Sequence, residues 1–100
     1  MTEYMLFMHD DAPASASDAV HTWPTYLATL RATGAFEGGS AIGDGICVSK
    51  EATEAEVARH LTGYIRIRAT SLEAARALLV GNPVYEAGGT VEIRELPAAG

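Results

Sequence analysis

The apolar positions of this chain fall into a few dense runs and two stripes of helical spacing. The densest run is Tyr4-Met5-Leu6-Phe7-Met8, which breaks at once into His9-Asp10-Asp11 and then Pro13. Five apolar residues without alternation are too few for a buried helix and fit a strand covered on both faces. A first strand is expected over 4–9. Turn formers occupy 10–16. Val20, Trp23, Leu27 and Leu30 then recur every three or four residues, which is one face of a helix. Pro24 lies inside that pattern. It is accommodated if Thr22 caps the helix and Pro24 sits in the first turn; otherwise the helix begins at Asp18 and kinks. Gly34 is placed to end it in the left-handed conformation.

Gly38, Gly39, Gly43 and Gly45 mark a flexible connection that runs into a second strand at about 41–48. Residues 49–59 are polar, and Thr53 and Glu56 have the spacing of a capping box, which predicts a short helical turn. A third strand over 60–69 alternates cleanly. Leu61, Gly63, Ile65 and Ile67 share one face, and Tyr64, Arg66 and Arg68 share the other. Thr70 and Glu73 repeat the capping-box spacing before a second helix, with Leu72, Ala75, Leu78 and Leu79 as its buried stripe. Gly81-Asn82-Pro83 stops it. Residues 84–89 read as loop. Residues 90–96 read as a fourth strand, with Val91 and Ile93 opposite Glu92 and Arg94.

The order is βαββαβ, which predicts an α+β, ferredoxin-like domain. Two right-handed crossovers put both helices on one face of a four-stranded antiparallel sheet. The other face has no helix to cover it, yet the first strand is apolar on both sides. A second copy is the simplest cover, so the expectation is a homodimer of the dimeric α+β barrel type.

Bulk properties narrow the class. One hundred residues with 48% apolar content describe a single folded domain, 1–100, and argue against disorder. A net charge of −6 disfavours nucleic acid as a partner. Cys47 is the sole cysteine, so no internal disulfide can form, which fits a reducing compartment. No basic leader and no apolar stretch of about 20 residues is present, so a cytoplasmic protein with no membrane partner is expected.

His9 is the leading candidate for chemistry. A histidine at the end of a central strand can act as a general base or a ligand donor. The commoner role for such a residue is a bond to a structural neighbour. Asp10 cannot orient it while the strand continues, because adjacent side chains point to opposite faces. His21 and His60 share no metal-like spacing with Cys47 or each other, so neither a metal site nor a cofactor is expected. Gly38-Gly39 and Gly43-Asp44-Gly45 lack the lysine and the strand-to-helix setting of a phosphate loop. Cys47 reads as a small apolar filler in the second strand. Arg66, Arg68, Glu92 and Arg94 read either as cross-strand ion pairs or as the rim of an anionic ligand site. Trp23, Tyr26 and Tyr64 suit the core, a pocket or an interface.

Tyr4-Met-Leu-Phe-Met-His9, Gly63-Tyr64-Ile65, Ser71-Leu72-Glu73-Ala74-Ala75, Asn82-Pro83, Glu86-Ala87-Gly88-Gly89 and Val91-Glu92-Ile93-Arg94 occur in an order that resembles the YCII-related domain family, including its DGPF-type members. The resemblance runs from the first strand to the fourth. It implies a ferredoxin-like fold, sheet-to-sheet dimerisation and a polar pocket near the dimer interface. It also implies a histidine on helix one and an aspartate after helix two. Here Tyr26 and Asn82 stand at those places, and Asp44-Gly45-Ile46-Cys47 replaces the Asp-Gly-Pro-Phe loop. A Tyr–Asn pair hydrogen-bonds a ligand but does no acid–base work near neutral pH without a strong shift. The reading that follows is a domain binding a small polar metabolite through His9, Tyr26, Asn82 and Glu86. Two alternatives stand beside it. One is a lyase, isomerase or hydrolase with His9 as catalytic general base. The other is a structural or regulatory protein-interaction domain.

Overall fold

The computed structural model describes residues 1–13, 21–51 and 55–98. Among these residues, four strands and three helices follow in the order β1 (Thr2–His9), α1 (Trp23–Thr33), β2 (Phe36–Ala41), β3 (Leu61–Ala69), α2 (Leu72–Ala77), α3 (Pro83–Glu86) and β4 (Val91–Leu96). The strands form one antiparallel sheet in the order β2-β3-β1-β4. This is the ferredoxin-like α+β arrangement that the order of elements predicts. Among the described residues no helix is long and apolar enough to cross a membrane.

Local chemistry sets the ends of α1. Thr22 is the N-cap, and its side chain accepts from the Thr25 N–H at 3.4 Å. Pro24 occupies the first turn, where its missing N–H leaves no helical bond unmade. Gly34 closes the helix at φ 77°, a conformation that costs glycine little. The alternative start at Asp18 lies outside the described residues.

Other expectations are corrected. β2 is Phe36–Ala41, not 41–48. It is an edge strand defined by its ladder to β3, with Phe36 opposite Ile67 and Ala41 opposite Gly63. Cys47 lies beyond it, exposed, in an isolated bridge to Ala55, so it fills no core. Thr53 lies outside the described residues, and Glu56 to Ala58 are not helical. The cap of α2 is Ser71 rather than Thr70, with its hydroxyl accepting from the Ala74 N–H at 3.1 Å. Of its expected stripe, Ala75 and Leu79 are buried and Leu72 is exposed. The loop after Asn82 contains the short helix α3.

The core lies between the helices and one face of the sheet. Tyr4, Leu6 and Met8 of β1 and Ile65, Ile67 and Ala69 of β3 meet Tyr26 and Leu30 of α1 and Ala75 and Leu79 beyond it. The intervening residues of β1 are Glu3, Met5, Phe7 and His9, all only partly buried. They point to the sheet face that no helix covers among the described residues. The chain is two layers deep, with a shortest extent of 20 Å.

Candidate functional site

His9 is the last residue of β1 and projects from the uncovered face. The β1–β4 register puts Phe7 beside Glu92 and Met8 beside Val91, so the Glu92 side chain lies on that same face, one step from His9. The His9 Nε2 and a Glu92 carboxylate oxygen are 2.9 Å apart. The other Glu92 oxygen accepts from Arg94 Nη1 at 3.1 Å. The bonds from Arg94 first and His9 second hold the Glu92 carboxyl below its ordinary range. The His60 ring meets His9 edge-on, with centroids 4.8 Å apart. Beyond the strand end, Asp11 accepts from the Thr90 backbone N–H at 2.7 Å and from the Thr90 hydroxyl. Those two bonds keep Asp11 a carboxylate to lower pH than usual.

A register shift follows Met8, so that Met8 faces Gly63 but His9 faces Leu61. Thr62 is the extra residue, and its hydroxyl donates to the Met8 carbonyl at 3.3 Å. Irregularities of this kind re-aim side chains at sheet ends. The Asp10 N–H donates to the His60 carbonyl at 2.7 Å, which continues the β1–β3 pairing past the strand and brings the two imidazoles together.

Tyr26, Asn82 and Glu86 come together elsewhere. The Tyr26 hydroxyl donates to the Leu78 carbonyl at 2.8 Å. Burial pushes its phenol up, and the Asn82 side chain beside it works weakly the other way. Asn82 is fully buried. Its Oδ1 caps α3, accepting from the Val84 and Tyr85 N–H groups at 3.0 and 3.1 Å, while Nδ2 has no hydrogen-bond partner. Glu86 accepts from the Gly81 N–H at 2.8 Å. These three residues join α1, the exit of α2 and α3 into one polar knot. His9 is parted from them by the sheet, because it alternates with Met8, which faces the helices.

The partner of His9 is therefore Glu92, 83 residues away. The alternation of the fourth strand marks Glu92 and Arg94 as sharing a face, but only the register places Glu92 beside His9. Among the described residues no group of three or more His, Cys, Asp or Glu side chains is gathered to hold a metal ion.

No family model and no curated protein matches this chain. Among solved structures, the 5-chloro-2-hydroxyhydroquinone dehydrochlorinase of Burkholderia phenoliruptrix AC1100, in complex with 2,5-dihydroxybenzoquinone, shares the fold. The match has a TM-score of 0.58 and covers 97% of this chain and 95% of that one, at 14% sequence identity. At that identity the likeness is one of fold.

Proposed function

We propose that this chain is a divergent YCII-like domain that binds a small polar metabolite and works as a homodimer, with His9 as its ligand-contacting group. The observation that carries this reading is the His9–Glu92–Arg94 chain at the rim of an uncovered sheet face. That face presents Met5, Phe7 and Tyr64, partly exposed, within a ring of ion pairs. An apolar centre with a polar rim is the anatomy of a protein interface. A second copy laid on it closes the space beside His9 and shields the ligand from water. Native mass spectrometry of protein freshly purified from cells reads subunit number and retained ligand together. The expected result is a dimer with added mass that His9→Ala loses. A monomer, or added mass that survives His9→Ala unchanged, overturns the assignment.

A second reading makes His9 a general base. It is favoured by the Glu92 carboxylate. If Glu92 accepts the Nε2 proton, it fixes the ring and leaves the Nδ1 lone pair free to take a proton from a substrate. The dehydrochlorinase neighbour supplies a probe. Chloride release from a chlorinated hydroxyhydroquinone is expected to fall by about 10²–10⁴-fold in His9→Asn, the usual contribution of a positioned acid or base. Glu92→Gln should fall less. Equal chloride release by wild type and His9→Asn removes this role.

A further inference from the structure

A separate concavity lies on the helix side of the sheet, away from His9. It is a groove of about 440 Å³ between α1 and the β2–β3 edge. Trp23, Leu27 and Arg31 line it from α1, and Phe36, Ala41 and Gly63 line it from the sheet. The groove exists because the sheet residues beneath it are small. Ala41 and Gly63 stand opposite each other in the ladder, and a methyl built on Gly63 would press on the Ser40 carbonyl at 3.2 Å and touch the Met8 side chain at 3.5 Å. The volume falls within the range of small-molecule sites.

The walls are mostly apolar and aromatic, with Ser40 and Thr62 on the sheet side, and one end carries a cation. The Arg31 guanidinium lies over the Phe36 ring, 5.0 Å from its centroid. Arg59, Arg66, Arg68 and Arg94 each have a carboxylate within ion-pair distance. Arg31, like Lys50 and Arg76, has none among the described residues, and of these three only Arg31 lines the groove. Trp23 and Arg31 are eight residues apart on one helix, about 12 Å along its axis. The groove is therefore long, apolar at the Trp23 end and positive at the Arg31 end.

We propose that this groove binds an elongated apolar carboxylate, with the carboxylate paired to Arg31 and the hydrocarbon running along Leu27 toward Trp23. Arginine suits this role because its planar fork meets a carboxylate with two parallel hydrogen bonds. The proposal is independent of the role of His9, since the two sites lie on opposite faces of the sheet.

Trp23 is the sole tryptophan, so its emission reports on the groove directly. The test is a fluorescence titration of the full chain with decanoate, and with decanol as the uncharged control. Decanoate should shift the Trp23 emission saturably, and decanol should bind the wild type at least tenfold more weakly. Arg31→Gln should weaken decanoate at least tenfold, with Arg31→Lys recovering part of the loss. Ala41→Phe should fill the floor and abolish the response, whereas His9→Ala should keep it. A response that does not saturate overturns the proposal. So does equal affinity for decanoate and decanol, or an Arg31→Gln variant that binds like wild type. The wild-type comparison of acid and alcohol decides the matter even if a variant fails to fold.

Discussion

The two faces of the sheet are made from the same strands and behave differently. On the helix side Tyr4, Leu6, Met8, Ile65 and Ile67 are each 4% exposed or less. On the other side Met5, Phe7 and Tyr64 remain partly exposed among charges. Arg66 pairs with Glu3 at 2.8 Å and Arg68 with Glu37 at 3.1 Å, while Arg94 pairs with Glu92 along β4. Such exposed pairs are individually worth only about 0–1 kcal/mol, so this face gains little stability from them. The contrast places the buried core on one face and leaves the apolar residues of the other partly exposed. β3 already shows the division, being apolar on one side only. β1 does not, because Met5 and Phe7 in the middle of its outward side are apolar as well, and those are the residues a partner would cover.

The largest effect expected is on the covered face. Leu6→Ala removes a fully buried side chain and should lower unfolding free energy by about 3 kcal/mol in denaturant titration, within the usual span for such cavities. Phe7→Ala, one residue away, should cost the isolated monomer less than about 1 kcal/mol. Equal losses would erase the contrast. Phe7→Glu sharpens it from the other side. In sedimentation velocity this variant should associate at least tenfold more weakly than wild type while keeping the far-ultraviolet spectrum of the fold. Self-association unchanged by Phe7→Glu would mean that this face is not the interface.

A smaller effect is expected beneath the helices. Asn82→Ala removes the cap of α3 and should cost about 1 kcal/mol. Loss of the unpartnered Nδ2 partly offsets that cost. If stability is unchanged but ligand retention falls, Asn82 acts on a ligand and not only as a cap.

The smallest effect concerns acid. The Asp11 and Glu92 carboxyls titrate lower in the folded chain than when unfolded. Their stabilisation is therefore complete above the unfolded carboxylate range, about 3.9–4.3, and is lost as pH falls through the lowered folded values. Asp11→Asn should be less stable than wild type at neutral pH. The gap between their thermal midpoints should close as pH drops below about 4. A gap that stays constant through this range would show that the Thr90 contacts do not depend on the charge of Asp11.

Much of this molecule was legible in the chain itself. The βαββαβ order, the inward face of β3 and the end of α1 at Gly34 follow from alternation and spacing, while the Thr22 cap with Pro24 was one of two starts the spacing allowed for α1. These are terms acting within a few residues, so sequence spacing carries them. Where two local solutions compete, spacing is not enough. Thr70 and Ser71 are adjacent hydroxyls, and only the backbone path selects Ser71 as the cap of α2. β2 shows a different limit. Phe36–Ala41 contains two glycines and little strand propensity, so its place is set by hydrogen bonding to β3 and not by its own residues. The candidate site divides in the same way. His9 stood out as a polar break at the end of an apolar run, and Tyr26 and Asn82 stood out by resemblance. That Tyr26, Asn82 and Glu86 meet under the helices while His9 faces the open side, held by Glu92, was decided by tertiary structure. A strand's own alternation fixes which residues share a face. Which residue of a distant strand stands beside them depends on register, and register is settled only when side chains such as the buried Leu6 and Ile65 and the partly buried Ile93 pack together.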